Sequence, residues 1–209
     1  LLFGDADTGV SGDGVLVRAS SGALRGVVRS NVSRGGNATD GLYTGTDTLV
    51  RGEKSVNLDA TYTAFNLGTV ELGENGALQL GATRVALGEV TDIQEGVFVT
   101  NELLDSLGSP EEIILKSYSN FDVYGTASLG NAETRRLALQ GAGFVGVETG
   151  TLSVAAETVS FSNPDGTGLD TSNAAGMGTM EVDADTIAFG EGTVETAGFD
   201  AVDLEARGE

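Results

Sequence analysis

Between Thr179 and Gly190 the chain reads Thr-Met-Glu-Val-Asp-Ala-Asp-Thr-Ile-Ala-Phe-Gly, with its apolar side chains at Met180, Val182, Ala184, Ile187 and Phe189. Successive side chains of a strand point to opposite faces. The spacing therefore predicts two short strands with one dry face, joined by a bend where one extra residue breaks the alternation.

The same spacing returns along most of the sequence. Leu152, Val154, Ala156, Val159 and Phe161 repeat it, and so do Leu78, Leu80, Ala82, Val85 and Leu87. Val56, Leu58, Ala60, Thr63 and Phe65 follow with one polar substitution, and shorter copies open at Val15, Ile113, Leu137 and Val202, with a degenerate one over 42–49. Units of about 20 to 50 residues, none able to bury its apolar face alone, are the mark of a stacked solenoid. Between two copies, Leu67, Val70 and Leu72 supply a third short strand, and three strands per coil predict an all-β parallel β-helix of about eight to nine rungs. The predicted core is Val56, Leu58, Phe65, Leu78, Leu80, Val85, Leu87, Leu115, Leu139, Leu152, Val154, Val159, Phe161, Met180, Val182, Ile187 and Phe189.

The rhythm breaks once, over 90–110. Asn101 can cap a short helix over 101–108 whose Leu103, Leu104 and Leu107 share one side, and Gly108 and Pro110 end it. This is an insertion between rungs of a single β-helix domain spanning 1–209. Tyr118, Phe121 and Tyr124, at strand spacing, read as core or wall packing. The irregular stretch from Asn163 to Gly178 is expected to project from one corner of the coil.

Composition sharpens the picture in three ways. The 32 Gly against 2 Pro fall at strand ends and not in a Gly-X-Y period, which excludes collagen. Eleven Lys and Arg against 31 Asp and Glu give a net charge of -20, a field that repels phosphate backbones and anionic lipid. No nucleic acid partner is expected, and no membrane insertion, because hydrophobicity never runs 18 residues unbroken. Cys and His are both absent, so there is neither a disulfide framework nor a thiolate or imidazole site. The chain begins without Met and stops within a copy, which suggests a section of a much longer protein or a processed segment.

Candidate chemistry is sparse. Asp5, Asp7 and Asp13 form a loose calcium-like loop, but its Gly is one position early for an EF-hand and Leu16 stands where the closing acid belongs. Asp183 and Asp185, with Glu181, share one strand face. These acids are the candidates for a structural calcium ion, and no other cofactor is expected. A polysaccharide-active enzyme would need carboxylates and a base clustered in a groove; without His, Arg84 and Lys116 are the isolated cations to locate. The expectation is that the chain is not an enzyme.

Gly76-Ala-Leu-Gln-Leu-Gly-Ala-Thr-Arg-Val-Ala-Leu-Gly88, Leu115-Lys-Ser-Tyr-Ser-Asn-Phe-Asp-Val-Tyr-Gly125 and Leu152-Ser-Val-Ala-Ala-Glu-Thr-Val-Ser-Phe161 together resemble the repetitive C-terminal region of the filamentous haemagglutinin family, over about residues 54–163. The short Leu-Leu-x-x-Leu helix before the Ser-Tyr-Ser segment adds to the likeness. The resemblance implies a right-handed parallel β-helix, two-partner secretion, and a place outside the cell or on the outer-membrane surface of a Gram-negative bacterium. It further implies a structural or adhesive rod presenting a distal binding or effector region, with a glycan or protein receptor that no residue pattern specifies. Partners would be neighbouring rungs of the same parent chain or like chains end to end. A subunit of a self-assembling extracellular filament is the first alternative, and the polysaccharide-active enzyme the second. At a rise of about 4.8 Å per rung the rod would span on the order of 40 Å.

Overall fold

A six-residue alternation buries little alone; it becomes a strand here because the equivalent residues of the next coil lie alongside it. The structure, a computed structural model, describes residues 9–32, 41–43, 47–62, 64–65, 69–90, 96–107 and 110–208. Three strands come first: β1 (Gly9–Ser11), β2 (Val15–Ser20) and β3 (Val28–Ser30). The first coil comprises β4 (Leu42–Tyr43), β5 (Leu49–Gly52) and β6 (Ser55–Ala60), and the second β7 (Ala64–Phe65), β8 (Thr69–Leu72) and β9 (Ala77–Ala82). The third contains β10 (Val85–Gly88), β11 (Val97–Val99), the helix α1 (Asn101–Ser106) and β12 (Glu112–Ser117). Then follow β13 (Phe121–Tyr124), β14 (Ala127–Leu129) and β15 (Arg136–Gln140), and after them β16 (Gly143–Gly146) with the long β17 (Thr151–Ser162). β18 (Gly178–Phe189), β19 (Glu195–Ala197) and β20 (Phe199–Ala206) complete a β-solenoid of about six turns.

One wall stacks β6, β9, β12, β15, β17, β18 and β20 in parallel; a second stacks β4, β7, β11, β10, β13, β16 and β19; β5 and β8 form a short third. Parallel stacking sets like residues in columns. Val56, Leu78, Ile113, Leu137, Val159 and Ile187 form one, and Leu58, Leu80, Leu115, Leu139, Phe161 and Phe189 another. Apart from Ile187 and Phe189, every member of both columns is buried in the same core, and so are Val85, Leu87, Leu152, Val154, Met180 and Val182. An aromatic file runs through it: Phe121 and Phe144 stack at 4.9 Å, Phe144 meets Phe161 edge-on at 5.9 Å, and Phe161 stacks on Phe189 at 5.7 Å. Each fully buried aliphatic or aromatic side chain contributes roughly 1.5–3 kcal/mol.

Several expectations need correction. Phe189 is 67% exposed and Ile187 only half-buried, because β20 pairs with β18 no further than Ala184 and leaves both uncovered. The side chain of Phe65 lies outside the described part. β2 carries the predicted alternation, yet it runs antiparallel to β6, with Val17 opposite Leu58. A period of two reads the same in both directions, so it does not encode strand polarity. The copies also occupy two phases. Leu137 lies beside Val159, not Leu152, while Leu152 and Val154 stack on Ala127 and Leu129. Counting all copies as equivalent starts therefore gave eight to nine rungs where the chain makes about six.

The insertion is also more than a detour. β11 returns into the second wall between β7 and β10, ahead of the strand it follows in sequence. The helix α1 is capped by Thr100, whose side chain accepts from the Leu103 amide, and not by Asn101. Gly108, its predicted stop, lies outside the described residues. Nor does the stretch after β17 project. Its Asp165 reaches Lys116, its Asp170 reaches Arg84, and the amides of Ala175 and Gly176 donate to the Gly146 carbonyl, so it lies back along the wall as a strap. Corners turn tightly where Gly125, Gly150 and Gly178 stack: a Cβ at Gly150 would strike the Gly125 carbonyl, and one at Gly178 that of Gly150.

Candidate functional site

In β6 and β9 all six positions are buried, including the polar ones that alternation aims outward. The cover is the segment before and including β3. Ser55 Oγ donates to the Gly22 carbonyl at 3.0 Å, and the Val27 amide donates to Gln79 Oε1 at 3.1 Å. An N-terminal segment thus lies across the outside of the first wall.

Beneath it, Asp59, Gly81, Lys116 and Gln140 form an outward column. Gly81 leaves the space that the Asp59 carboxylate fills; a Cβ there would collide with Asp59 Oδ2. Arg29 Nε donates to Asp59 Oδ1 at 2.8 Å, Nη2 lies 2.6 Å from the same oxygen, and Nη1 donates to the Gly12 carbonyl at 3.0 Å. Tyr118 Oη donates to Asp59 Oδ2 at 2.7 Å. Burial, and then the adjacent Asp59, push the Tyr118 hydroxyl far above its ordinary range, so it acts as a hydrogen-bond donor and not as a base. Burial works to lower the Arg29 pKa, but the Asp59 carboxylate outweighs it and the guanidinium is held charged.

Lys116 stands one coil further on. Its Nζ lies 4.7 Å from the Tyr118 ring centroid and 3.4 Å from Asp165 Oδ2, and its side chain is only 5% exposed. Between residues 26–30 on one side and Pro164–Asp165 of the strap on the other runs a groove of about 560 Å³, with Gln79, Ile114, Lys116 and Gln140 along its floor. Small-molecule sites have this size, about 300–1,000 Å³.

A second charged cluster holds the strap. Arg84 Nη1 donates to Asp122 Oδ2 at 2.7 Å and Nη2 to Asp170 Oδ2 at 2.8 Å, while Asn120 Nδ2 donates to Asp122 Oδ1. Burial raises the Asp122 pKa despite Arg84, whereas hydrogen bonds from Ser172 and then Arg84 lower that of Asp170. Asn163 anchors the strap's base, donating through Nδ2 to the carbonyls of Thr167 and Thr193, both at 2.8 Å.

The acids singled out for calcium are Asp5, Asp7 and Asp13 in one place and Asp183 and Asp185 in another. Asp5 and Asp7 lie outside the described residues, and Asp13 is exposed. Asp183 and Asp185 do share an outward face of β18, but Asp183 is ion-paired with Arg207 and Asp185 is exposed. Among the described residues no group of three or more acidic side chains is placed to hold a metal ion. Of the two isolated cations noted in the sequence, Arg84 ties down the strap and Lys116 lines the groove. Arg29 and Asp59 are not among the candidates that sequence patterns mark; the available signal is an Asp inside an otherwise uncharged strand with Gly81 at the equivalent place one coil on.

At the far end the columns run out uncovered. Val202 and Leu204 continue the files of Leu152–Met180 and Val154–Val182 but are 40% and 48% exposed. Comparison with protein family models, with curated proteins and with solved structures finds no match.

Proposed function

We propose that this chain is a rod section of a large secreted or surface-attached protein of the filamentous haemagglutinin kind, made by a Gram-negative bacterium, and that it holds a distal binding or effector region away from the cell. The observation that carries this reading is the open edge of β20. Val202, Leu204 and Phe189 present the next places in three apolar columns, and a further coil of the same alternation would bury them. In this reading its job is mechanical, and the buried carboxylates of Asp59 and Asp122 serve the wall as ion-pair partners of Arg29 and Arg84. Six coils rising about 4.8 Å each make a spacer of about 29 Å.

The test is to excise residues 47–206 in frame from the parent surface protein and measure the height of its tip above the cell by super-resolution or electron microscopy. Shortening by about 3 nm with the tip still displayed supports the spacer; loss of display without shortening of the remainder refutes it. Like chains stacking into a filament is the second reading, favoured by the same free edge. Against it stands β2, which lies against the coil direction at the opposite end and offers a mismatched partner. Sedimentation across a hundredfold concentration range separates the two.

A further inference from the structure

We infer that the wall groove between residues 26–30 and the strap is a binding site for a hexuronate, a sugar ring that carries one carboxylate among hydroxyls. The inference stands apart from the rod reading, since a spacer needs no such groove.

The groove floor is polar in a particular way. Lys116 is more than nine-tenths buried, yet among the described residues its ammonium makes no hydrogen bond: Asp165 is an ion-pair partner at 3.4 Å and the Tyr118 ring a cation–π neighbour at 4.7 Å. An ammonium has three donors and satisfies them best on carboxylate oxygen. Gln79 uses Oε1 on the Val27 amide and on Asn57 Nδ2, which fixes its amide and leaves Nε2 as the group it offers a ligand. Gln140, next to Lys116 in the outward column, adds a second amide. Two amides beside one cation match a carboxylate with neighbouring hydroxyls.

Val27, Val28, Ile114 and Pro164 make up the apolar part of the lining and Lys116, Gln79, Gln140 and Asp165 its polar part, a mixture that suits a sugar ring, with C–H faces and hydroxyls, better than a bare hydrocarbon tail. At the rim Val28, 72% exposed, offers a surface to the C–H face of a sugar ring. Arg29 also lines the groove but is committed to Asp59 and to the Gly12 carbonyl, which leaves Lys116 as the cation able to meet the ligand. The net charge of -20 opposes long polyanions at a distance, so one or a few uronate units are expected to bind better at moderate than at low ionic strength.

Calorimetric titration of the intact 209-residue chain with trigalacturonate, galactotriose and tetraglutamate tests this. Trigalacturonate is expected to bind, with galactotriose and tetraglutamate at least about tenfold weaker. Lys116→Met is expected to lose about tenfold in affinity. Asp165→Asn removes the carboxylate that competes for Lys116 and is expected to gain about threefold, an effect that a purely structural role would not produce. Gln140→Ala, at a half-buried position whose side chain has no hydrogen-bond partner among the described residues, keeps the test open should Lys116→Met fold poorly, and it too is expected to weaken binding. Equal binding of galactotriose, preference for tetraglutamate, no heat from trigalacturonate at millimolar concentration, or an Asp165→Asn variant no tighter than the parent would each overturn the assignment.

Discussion

Replacing Phe144 by alanine, with Phe189→Ala as its control, tests whether the interior is held by a continuous aromatic file or by independent coils. Phe144 is 1% exposed and touches a ring on each side, Phe121 at 4.9 Å and Phe161 at 5.9 Å. Truncating a buried Phe costs about 3–5 kcal/mol, more when the surroundings cannot collapse into the hole. Here they cannot: Phe121 and Phe161 belong to β13 and β17, whose backbones are fixed by hydrogen bonds to neighbouring coils. The expected loss is therefore in the upper part of that range, a large share of an ordinary domain's stability of about 5–15 kcal/mol. Phe189 belongs to the same file but is 67% exposed and has a single ring contact, to Phe161 at 5.7 Å. Its removal is expected to cost only about 1 kcal/mol, the worth of one aromatic pair.

Urea unfolding gives both losses, and hydrogen exchange read by segment shows where they fall. Because a coil touches only its neighbours, Phe144→Ala is expected to strip protection from 121–124 and 143–162 while 55–60 and 77–82 keep theirs. A Phe144→Ala loss no greater than that of Phe189→Ala would refute the argument. So would a loss of protection spread evenly over all coils.

Other perturbations probe the covered wall. Asp59→Asn leaves the Arg29 guanidinium buried without its counter-charge and is expected to cost about 3–5 kcal/mol, seen as a lower urea midpoint; a change within about 0.5 kcal/mol would show that the cluster is dispensable. Gly81→Ala puts a methyl against Asp59 Oδ2 and is expected to release residues 26–30, detected as new proteolytic cleavage there, while the same change at the uncrowded Gly168 has no effect. The strap is expected to resist acid. Asp122, raised by burial, takes its proton first as pH falls, leaving Arg84 to Asp170. Asp170, lowered chiefly by the Ser172 hydrogen bonds, contributes stability that is full above its unfolded pKa and is lost only as pH passes down through its depressed folded value. Cleavage of 163–177 by an acid-active protease is thus expected to rise only below the ordinary carboxylate range. In Asp170→Asn that acid step should vanish, and a wild-type step at or above the ordinary range would contradict the account.

The sequence carried the inner face well and the coil geometry only in part. Met180, Val182 and Leu152 are where alternation puts them, since burial on one face is what an alternation of period two reports. The same alternation is silent on direction, which hid the reversed β2. It is silent on phase as well, which made Leu137 and Leu152 look equivalent although Leu152 stacks on Ala127 and Leu137 on Val159. Phe189 was misplaced for a different reason: its spacing is right, but dryness at one rung depends on a strand of the next, and β20 stops short of it.

The outer wall was illegible for a reason that bears on function. An inner column constrains every coil to similar residues, so it repeats and can be recognised. Residues 22–30 and the strap stack in no column; they cross several coils at once, from Gln79 through Lys116 to the turn after β17, and each of their contacts is made once. Such contacts leave no period to detect. They also give the rod a surface that differs from one coil to the next, and a ligand needs that difference to select a single position along the axis. The groove at Lys116 exists because two unrepeated segments frame one stretch of a repeated wall, and the repeat therefore does not disclose its chemistry.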